Sequence, residues 1–352
     1  MQRIPVLTLA LSMSLALLTS CSSAPKNQEE MKVVEPVAVS NYRKGFVDWT
    51  GAEAIPLTFE DEMQFHEGLA AVRQNGKWGF IDQTGKVVIQ PAWLRVTNFS
   101  EGMAGCLNEY GKWGFLDKNG KVVIEPKYVM IKEFSEDLCP VKIGDKWGFI
   151  DKQGAEAIGF QYKDALPFKE SVAAIELPDR DVWGFIDKKG NKTIEPIYLK
   201  AQSFSEGFGA VYLKGAWAYI NKDGKTITDF NFEDVRPFVQ GVGEARMAGK
   251  VSLVDQSGNV LEKTSLEAPS LFSEGLAPIQ EGSKWGYVDK TGSNMIKAKF
   301  EEADKFNEGR ALVKIHMRYG FIDKSGHYVV KPHYDWAMPY SEKMAPVGEL
   351  IK

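Results

Sequence analysis

Short apolar segments separated by turn-forming residues recur along most of this chain. The unit Phe99–Tyr128 shows the arrangement: Met103–Leu107 is small and apolar, Lys112–Leu116 is aromatic and apolar, and Lys121–Ile124 is β-branched. Each segment has about five residues, the usual length of a strand, and Asn, Asp and Gly lie in the gaps between segments. The pattern predicts a three-stranded antiparallel meander.

The meander repeats with a fixed period, which is marked by a small residue in its middle strand. An aromatic residue usually precedes the small residue, and an Asp or Asn follows it three residues later. A period of this length indicates a repeat architecture. We therefore predict an all-β fold, a tandem array of about nine 34-residue three-stranded antiparallel meanders over residues 41–352. The small residue recurs every 34 residues, occasionally 35 or 36, at Gly45, Gly79, Gly114, Gly148, Gly184, Ala218, Ser252, Gly286 and Gly320.

Each middle strand ends in an Asp-x-x-Gly turn, or a close variant of it, as in Asp82–Gly85 and Asp117–Gly120. The Asp side chain can accept hydrogen bonds from backbone N–H groups two residues on, and Gly readily takes the positive φ that closes such a hairpin. Calcium would need roughly six to eight oxygen ligands, and one Asp per turn does not supply them. The turn is therefore interpreted as structural.

A second motif, Phe-Ser-Glu-Gly, recurs once in each unit. Its aromatic residue is expected to fill the core between neighbouring sheets, because such rings bury a large apolar area. The favoured interpretation of its Glu is that it accepts backbone N–H bonds at a tight turn; the other is an acidic ring that binds a cation or a basic partner. Gln240 occupies the position in one unit, and the other eight carry Glu67, Glu101, Glu136, Glu170, Glu206, Glu274, Glu308 and Glu342.

The Trp of the repeat also has two interpretations. Aromatic rings on an exposed β surface commonly bind sugars, whereas a Trp beside a Gly can pack over the missing side chain or against a neighbouring unit. Nearly the same use in most units favours packing between repeats. A sugar site would instead need exposed aromatics outside the shared positions, and the candidates are Trp93, Tyr110, Trp336 and Tyr340.

These motifs resemble the WG-repeat (KWG-type) family of bacterial proteins, which is built on Lys-Trp-Gly-Phe/Tyr-Ile-Asp-x-x-Gly-Lys and Phe-Ser-Glu-Gly-Leu-Ala. The resemblance covers residues 41–352 and implies a β-rich repeat domain, frequent on exported or surface proteins, with no general catalytic activity. The chain departs from the pattern between about 217 and 263, where Ala218 and Ser252 replace Gly, Val251 replaces Trp and Glu244 replaces Ala. This stretch is either a decayed part of the array or a part specialised for a partner.

The two ends of the array are complementary parts of one unit. Residues 45–48 belong to a middle strand, and residues 340–352 end after a Phe-Ser-Glu-Gly-type segment. In a propeller the first strand often completes the last blade, but nine units exceed the usual number of roughly four to eight blades, and a blade usually has one strand more. We therefore expect an open, superhelical solenoid, with a closed propeller-like ring as the alternative.

Residues 1–20 contain one basic residue, Arg3, followed by a mostly apolar run. The run is too short for a comfortable membrane span, which needs ~20 apolar residues. The arrangement predicts a secretory signal peptide. An ordinary signal cut near Ala24 and an uncleaved anchor helix are alternatives to the processing described next.

The signal ends in Leu18-Thr19-Ser20-Cys21, which resembles the lipobox of bacterial lipoproteins. In that family the Cys becomes the first residue of the mature chain and carries the lipid. The resemblance implies lipidation (palmitate) and a membrane anchor at Cys21. Ser22 stands where an Asp would retain a lipoprotein in the inner membrane, so the resemblance implies the cell envelope and its outer membrane as the location.

Residues 21–40 are polar and carry Pro25 and Pro36, which predicts a flexible tether. At ~3.3 Å per residue, it would let the folded domain lie up to roughly 60 Å from the membrane. Removal of the signal takes away one of the 43 basic residues, so 42 remain against 47 acidic ones, a net charge of −5. No basic cluster stands out, which argues against nucleic acid as a partner.

Cys106 and Cys139 occupy positions where other units have small or β-branched apolar residues. A disulfide would need their Cα atoms within ~7 Å, and two buried small apolar residues explain both positions better. The His residues do not belong to a recognisable catalytic or metal-binding motif. Those near the C-terminus are interpreted as part of an ordinary polar surface, with a zinc site as the less favoured alternative. We therefore predict no catalytic residue, cofactor or metal; the His residues are His66, His316, His327 and His333.

Three functions remain open at this point. The favoured one is a non-catalytic lipid-anchored cell-envelope protein whose repeat surface mediates protein–protein interaction or scaffolding. The alternative is a lipoprotein that binds carbohydrate or peptidoglycan. An enzyme would need carboxylates or His residues outside the repeat pattern to converge on one pocket. Residues that differ from unit to unit should separate these functions.

Overall fold

The structure is a computed structural model that describes residues 41–261, 272–289 and 293–351. Within these ranges every regular element is a β-strand, so the all-β prediction is confirmed. The same ranges contain no helix that is long and apolar enough to cross a membrane.

The described strands are numbered in chain order. They are β1 (Tyr42–Asp48), β2 (Glu53–Phe59), β3 (Asp61–Glu62), β4 (Leu69–Gln74), β5 (Lys77–Asp82), β6 (Val87–Trp93), β7 (Arg95–Val96), β8 (Met103–Leu107), β9 (Trp113–Asp117), β10 (Val122–Tyr128), β11 (Met130–Ile131), β12 (Cys139–Ile143), β13 (Lys146–Ile150), β14 (Glu156–Tyr162), β15 (Asp164–Ala165), β16 (Val172–Leu177), β17 (Val182–Asp187), β18 (Lys192–Tyr198), β19 (Lys200–Ala201), β20 (Phe208–Leu213), β21 (Ala216–Asn221), β22 (Asp234–Val239), β23 (Val242–Met247), β24 (Lys250–Asp255), β25 (Val260–Leu261), β26 (Leu276–Glu281), β27 (Lys284–Asp289), β28 (Asn294–Phe300), β29 (Glu302–Ala303), β30 (Arg310–Ile315), β31 (Arg318–Asp323), β32 (Tyr328–Tyr334), β33 (Trp336–Ala337) and β34 (Met344–Leu350).

These strands form nine antiparallel sheets, which are the blades of a closed β-propeller. Blade 1 combines both ends of the chain in the order β33, β34, β1, β2. The following blades are β3–β6, β7–β10, β11–β14, β15–β18, β19–β21, β22–β25, β26–β28 and β29–β32, numbered 2 to 9. The predicted count of about nine repeated units is confirmed.

The N-terminal strand closes the ring. β1 pairs antiparallel with β34 along its whole length, from Tyr42 opposite Leu350 to Asp48 opposite Met344. The Tyr340 hydroxyl donates to the Asp48 carbonyl at 2.8 Å and strengthens the same junction. The preference for an open solenoid was therefore wrong. Closure pairs the strand edges that an open array would leave exposed at its ends.

A complete blade contains one strand more than predicted. The additional strand opens the blade and has two residues, as β11 does in blade 4, except in blade 7, where β22 has six. A single residue, Val129, separates β11 from β10 of blade 3, so one extended segment pairs first with β9 and then with β12. A two-residue strand has no alternating pattern, which is why the prediction of three strands was one short.

The Gly of the repeat lies where the fourth strand bulges over the third. In blade 4 the partners of Trp147 and Phe149 are Tyr162 and Ile158, so the register shifts between them. The bulge places the Ile158 carbonyl oxygen 2.8 Å from where a β-carbon on Gly148 would lie. Real side chains do not make contacts this short, so a residue other than Gly would displace the fourth strand.

The divergent stretch near residues 217–263 alters the fold locally. Ala218 replaces the Gly in blade 6, and the fourth strand is reduced there to isolated bridges such as Trp217 with Phe232. Ser252 replaces it in blade 7, where the described fourth strand, β25, has two residues. In blade 6, loss of the Gly thus coincides with loss of a regular fourth strand.

Candidate functional site

The aromatic residue of Phe-Ser-Glu-Gly fills the boundary between consecutive blades, as predicted. Phe134 of blade 4 is 1% exposed, and its ring centroid lies 4.9 Å from that of Phe115 in blade 3. Edge-to-face pairs of this kind are favourable. The pair recurs as Phe46–Phe65, Phe80–Phe99, Phe149–Phe168, Phe185–Phe204, Tyr219–Phe238, Tyr287–Phe306 and Phe321–Tyr340.

The Trp of the repeat is a packing residue. Trp147 is 4% exposed and lies opposite Tyr162 in the strand pair. It belongs to one buried cluster with Ala165 and Ile175 of blade 5, and the Lys132 ammonium lies 4.9 Å from its ring centroid. The Trp therefore extends from its own blade towards an apolar position in the first strand of the next blade. This agrees with the favoured interpretation, packing between repeats.

The repeated Glu links each blade to the next through the backbone. Glu101 accepts the N–H groups of Glu136 at 2.6 Å and Asp137 at 2.9 Å, both in the following blade. Glu342 accepts the N–H of Gly68 at 2.8 Å across the boundary from blade 1 to blade 2. The prediction of a backbone acceptor is confirmed, although the turn belongs to the next blade. Equivalent bonds join Glu67 to Gly102, Glu136 to Ser171, Glu170 to Gly207, Glu206 to Gly241, Glu274 to Gly309 and Glu308 to Lys343.

Each Glu of this set holds an unusual backbone conformation. Glu101 has a φ of 52° and Gly102 a φ of 82°, while Ser100 and Met103 exchange both of their backbone hydrogen bonds. This two-residue hairpin is of a kind that usually carries Asn-Gly. Positive φ costs a non-Gly residue roughly 1–3 kcal/mol, and the charge-assisted bonds to the next blade offset that cost.

Lysines from the Asp-x-x-Gly turn of the next blade pair with several of these carboxylates. Burial raises the pKa of Glu67, but hydrogen bonds from Lys118 and from the Gly102 N–H lower it by more, so the net pKa lies below the ordinary value. The paired carboxylates therefore already form ion pairs and hydrogen bonds within the chain, which disfavours their interpretation as a site for an external cation. The pairs are Lys118–Glu67, Lys152–Glu101, Lys188–Glu136, Lys222–Glu170 and Lys324–Glu274, with N–O distances of 2.9 to 3.4 Å.

The Asp-x-x-Gly turns are structural, as predicted. Asp117 Oδ1 accepts the N–H groups of Asn119 and Lys121, both at 2.9 Å. In the equivalent turn of blade 2 the Thr84 hydroxyl also donates to Asp82, and this bond lowers the pKa of the Asp82 carboxyl.

Cys106 and Cys139 are free and buried, so the interpretation as small core residues is confirmed. Burial raises the pKa of the Cys106 thiol to about 12 and also raises that of Cys139. Neither thiol is a reactive thiolate at neutral pH.

The C-terminal His residues occupy separate environments. His316 lies at the hairpin between β30 and β31, His327 lies 3.9 Å from Asp323, and His333 Nδ1 lies 2.7 Å from the Lys331 carbonyl oxygen. Across the described ranges, no three His, Cys, Asp or Glu side chains are grouped closely enough to hold a metal ion.

The four aromatics proposed for a sugar site do not form a common surface. Tyr340 is 1% exposed and lies in the core, so its assignment as a surface aromatic was wrong. Trp93 packs half-buried against the core, and Trp336 is half-buried beneath the Lys44 ammonium, 3.7 Å from its ring centroid. Of the four, Tyr110 is the exposed one, with 37% of its surface accessible.

Cavities lie beside the first two strands in two blades where the shared Trp is replaced. In blade 9 Tyr319 takes the Trp position, and a cavity of about 250 Å³ lies beside it. In blade 7 Val251 takes the position, and a cavity of about 40 Å³ is lined by Asp234, Val235, Arg236, Glu244, Ala245 and Arg246. The blade 9 cavity is lined by Tyr319 and by the equivalent residues of that blade: Glu302, Ala303, Asp304, Leu312, Val313 and Lys314.

The sequence pointed to the blade 7 site through its divergent stretch but not to the blade 9 site. Tyr319 counts as an ordinary aromatic member of the repeat, so nothing in the pattern marked it. The available signal was its size, since a Tyr ring is smaller than the Trp that six other units carry at this position.

Elsewhere the repeated Trp contacts an apolar residue of the next blade. At the boundary between blades 1 and 2, charged residues occupy both of these positions. Lys44 replaces the Trp, and Glu62 replaces the apolar residue found elsewhere, such as Ala165. The Lys44 ammonium donates to Asp61 at 2.6 Å. Glu62 is 4% exposed, and its carboxyl oxygens have no hydrogen-bond partner within the described part of the chain. Burial raises the pKa of Glu62 well above its ordinary value, and the charge of Lys44 reduces that shift.

The predicted lipidation site, Cys21, lies outside the described residues. The same holds for the predicted signal, residues 1–20, and for the tether that continues to residue 40. These assignments stay predictions.

A sequence model of the WG containing repeat matches the chain eight times. The matches cover more than half of the sequence, at residues 45–78, 78–105, 113–147, 147–177, 183–217, 217–250, 285–316 and 319–349. A comparison with curated proteins found no match.

Among solved structures, BamB from Moraxella catarrhalis is similar over 82% of this chain and 96% of its own, with a TM-score of 0.41 and 12% identity. The dihydro-heme d1 dehydrogenase NirN in complex with DHE is similar over 76% and 73%, with a TM-score of 0.47 and 12% identity. The WD40 beta propeller domain of Doa1 is similar over 73% and 92%, with a TM-score of 0.32 and 13% identity. Likenesses this distant carry no inference about function.

Proposed function

Because the chain belongs to the family of proteins built from WG containing repeats, we propose that it is a non-catalytic, lipid-anchored protein of the cell envelope whose ring binds another protein. The lipobox-like residues 18–21 support the anchor, and the polar tether after them supports a position away from the membrane surface. With Ser22 after the Cys, the proposed location is the outer membrane.

One observation carries the proposal of a binding role. The residues that the units share pack blade against blade, whereas the blade 9 cavity lies where a unit departs from the pattern. Repeat proteins commonly present their binding residues as variations on a constant scaffold. The cavity of blade 9 is therefore the proposed contact site.

A glycan-binding role has less support. It needs exposed aromatic platforms, and three of the four candidate rings are buried or half-buried. A protein partner needs only an anchoring cavity with polar surroundings, which blade 9 offers.

Crosslinking in intact envelopes tests this function. An affinity-tagged wild-type chain should fractionate with the outer membrane and capture a defined protein. Cys21→Ser should release the chain from the membrane and reduce capture, and Ser22→Asp should move it to the inner membrane. Ser22→Ala is the matched control and should behave as wild type.

Two results would contradict the proposal. Membrane retention of Cys21→Ser at the wild-type level would exclude lipidation at this residue. Absence of any crosslinked protein above the level of an untagged strain would exclude a stable protein partner in the envelope.

A further inference from the structure

We propose that the blade 9 cavity binds the basic side chain, Arg or Lys, of a partner protein. This inference rests on the proposed function, because it names the chemistry of the partner at the same site. Four features of the cavity carry it: its position, its size, its charge and its apolar wall.

The cavity lies beside a repeated position whose residue differs from that of most units. Trp147 fills this position in blade 4 and contacts the next blade. Tyr319 also packs towards the next blade, in one cluster with Ala337 and Val347 of blade 1. The cavity lies beside this ring and along β29 and β30.

The size of the cavity limits what can enter. Sites for drug-sized molecules have volumes of roughly 300–1,000 Å³, and this cavity has about 250 Å³. It therefore suits one long side chain rather than a disaccharide or a nucleotide.

The charge of the lining favours a cation. Glu302 and Asp304 contribute two carboxylates, against one ammonium from Lys314. Lys314 is held by Glu302 at 2.7 Å, and the Tyr319 hydroxyl donates to the same carboxylate at 3.2 Å. The Asp304 carboxylate accepts the neighbouring N–H of Lys305 at 3.1 Å and is exposed. Asp304 is thus the acceptor that an incoming guanidinium or ammonium group would meet.

Asp304 is also a departure from the repeat. No other described blade has an acidic residue at this position, which is occupied by Met63, Thr97, Lys132, Leu166, Gln202, Arg236 and Met338. In blade 7 the lining has two acidic and two basic residues, so its charge is balanced. Of these two cavities, the one in blade 9 has the excess of negative charge.

The apolar wall suits the aliphatic stem of a basic side chain. Leu312 lines the cavity, at a position where blades 2, 4 and 5 carry Ala71, Pro140 and Ala174. Lys and Arg commonly lay their stems on apolar surface while the charged end contacts polar groups. The Tyr319 ring offers a second apolar surface beside Leu312.

The hairpin between β30 and β31 favours a protein, rather than a free amino acid, as the ligand. It joins the two lining strands through His316 and Met317, both with positive φ, and Glu301 accepts both of their N–H groups. Met317 is 76% exposed. A flexible, exposed thioether adapts readily to a partner surface.

The test is a titration of the full folded chain with Nα-acetyl-arginine amide, monitored through the methyl NMR signals of Leu312. The uncharged Nα-acetyl-norleucine amide is the ligand control. We expect the arginine derivative to bind with a Kd of about 1 mM, as its size allows. Asp304→Asn should weaken binding by about tenfold, and Tyr319→Trp should abolish it by restoring the ring that fills the space.

Trp147→Tyr is the matched protein control. It imitates the blade 9 substitution in blade 4, where Lys132 takes the place of Asp304, and it should create no second site. Equal binding of both ligands, or unchanged binding by Tyr319→Trp, would overturn the inference. If the arginine derivative binds as expected but no protein is captured in envelopes, the proposed function fails while the cation site stands. If Tyr319→Trp captures the partner as wild type does, the inference fails and the function stands.

Discussion

The boundary between blades 4 and 5 and the boundary between blades 9 and 1 share the same hydrogen bond from the repeated Glu to the next blade. They differ in the repeated aromatic residue and in the side chains beside it. At the first, Trp147 is buried against Ala165 and Ile175. At the second, Tyr319 takes the same position and a charged cavity of about 250 Å³ lies beside it. The two boundaries differ in this aromatic residue and in its neighbours, since Asp304 and Leu312 stand where blade 4 has Lys132 and Pro140.

Under the proposed function, this comparison illustrates how a repeat protein can vary one position without changing its fold. The Glu that links consecutive blades is present at both boundaries, where Glu136 accepts the N–H of Ser171 and Glu308 accepts that of Lys343. The hydrogen-bonded frame therefore stays constant while the Trp position varies. The predictions below begin with the frame and end with the variable positions.

The largest effect is expected from the Gly of the repeat in blade 4. Gly148→Ala should lower the free energy of unfolding by about 3 kcal/mol, because a β-carbon there would lie 2.8 Å from the Ile158 carbonyl oxygen. Gly159→Ala in the same blade is the control, since its β-carbon would meet nothing closer than Glu156 Oε1 at 3.4 Å. Denaturant unfolding measures both, and equal losses would show that the bulge does not explain the Gly.

A smaller loss is expected when one link between blades is removed. Glu101→Ala should cost about 2 kcal/mol, because two backbone N–H groups lose their acceptor and Lys152 keeps only Asp137 as a partner. Glu101→Gln should cost about half as much, since one acceptor oxygen remains. Glu156→Ala, on an exposed strand position, serves as the control. If Glu101→Ala is as stable as this control, the links between blades do not support the ring.

Exchanging the residues that distinguish the two boundaries should have unequal effects on stability. Trp147→Tyr should cost about 1–2 kcal/mol, because it opens space in a packed cluster. Tyr319→Trp should change stability by less than about 1 kcal/mol, because the added ring enters an existing cavity. Thermal unfolding of both variants checks this, and a large loss in Tyr319→Trp would mean that the blade 9 cavity cannot accept a Trp ring.

The smallest effect concerns the pH dependence of stability. It arises at the boundary between blades 1 and 2, where Lys44 and Glu62 take the positions of the usual Trp contact. The pKa of Glu62 is raised above its ordinary value of 4.5, chiefly by burial. Such a group stabilises the fold fully below its unfolded pKa, and the contribution is lost as pH rises through the folded pKa. Glu62→Val, which copies Val96 and Val235, should therefore gain about 1 kcal/mol over wild type as pH rises from 4.5 to 8.

The charged groups around Glu62 provide the control for that measurement. Lys44 and Asp61 act on Glu62 electrostatically, and Arg73 lies opposite Asp61 in the strand pair. Asp61→Asn should leave the sign of the pH dependence unchanged, because burial is the largest cause of the shift. If wild type and Glu62→Val have parallel pH profiles, Glu62 does not hold a proton in the folded ring.

The sequence predicted those parts of the molecule that depend on local chemistry. The strand β13, the Asp117 turn and the burial of Phe134 follow from alternation, turn residues and ring size. The two-residue strand β11 did not, because it is too short for any pattern. Closure by β1 was weighed but not favoured, since strand pairing over such a separation leaves no local signal.

The candidate site was less predictable than the fold. Glu101 was correctly assigned as a backbone acceptor, but its partner turn in the next blade is a tertiary contact. The blade 9 cavity is bounded by side chains of three strands, β29, β30 and β31, which meet only in the folded blade. Residue volume acts only through neighbours in space, so the cavity could not be read from the repeat pattern.

Capture of the partner in intact envelopes by Tyr319→Trp, measured against Trp147→Tyr at matched amounts of folded protein, tests the central claim most directly. The claim is that shared residues hold the ring together and that binding occurs where a unit departs from them. It predicts that Tyr319→Trp keeps its stability and loses capture, while Trp147→Tyr loses stability and keeps capture. Full capture by Tyr319→Trp would contradict the account.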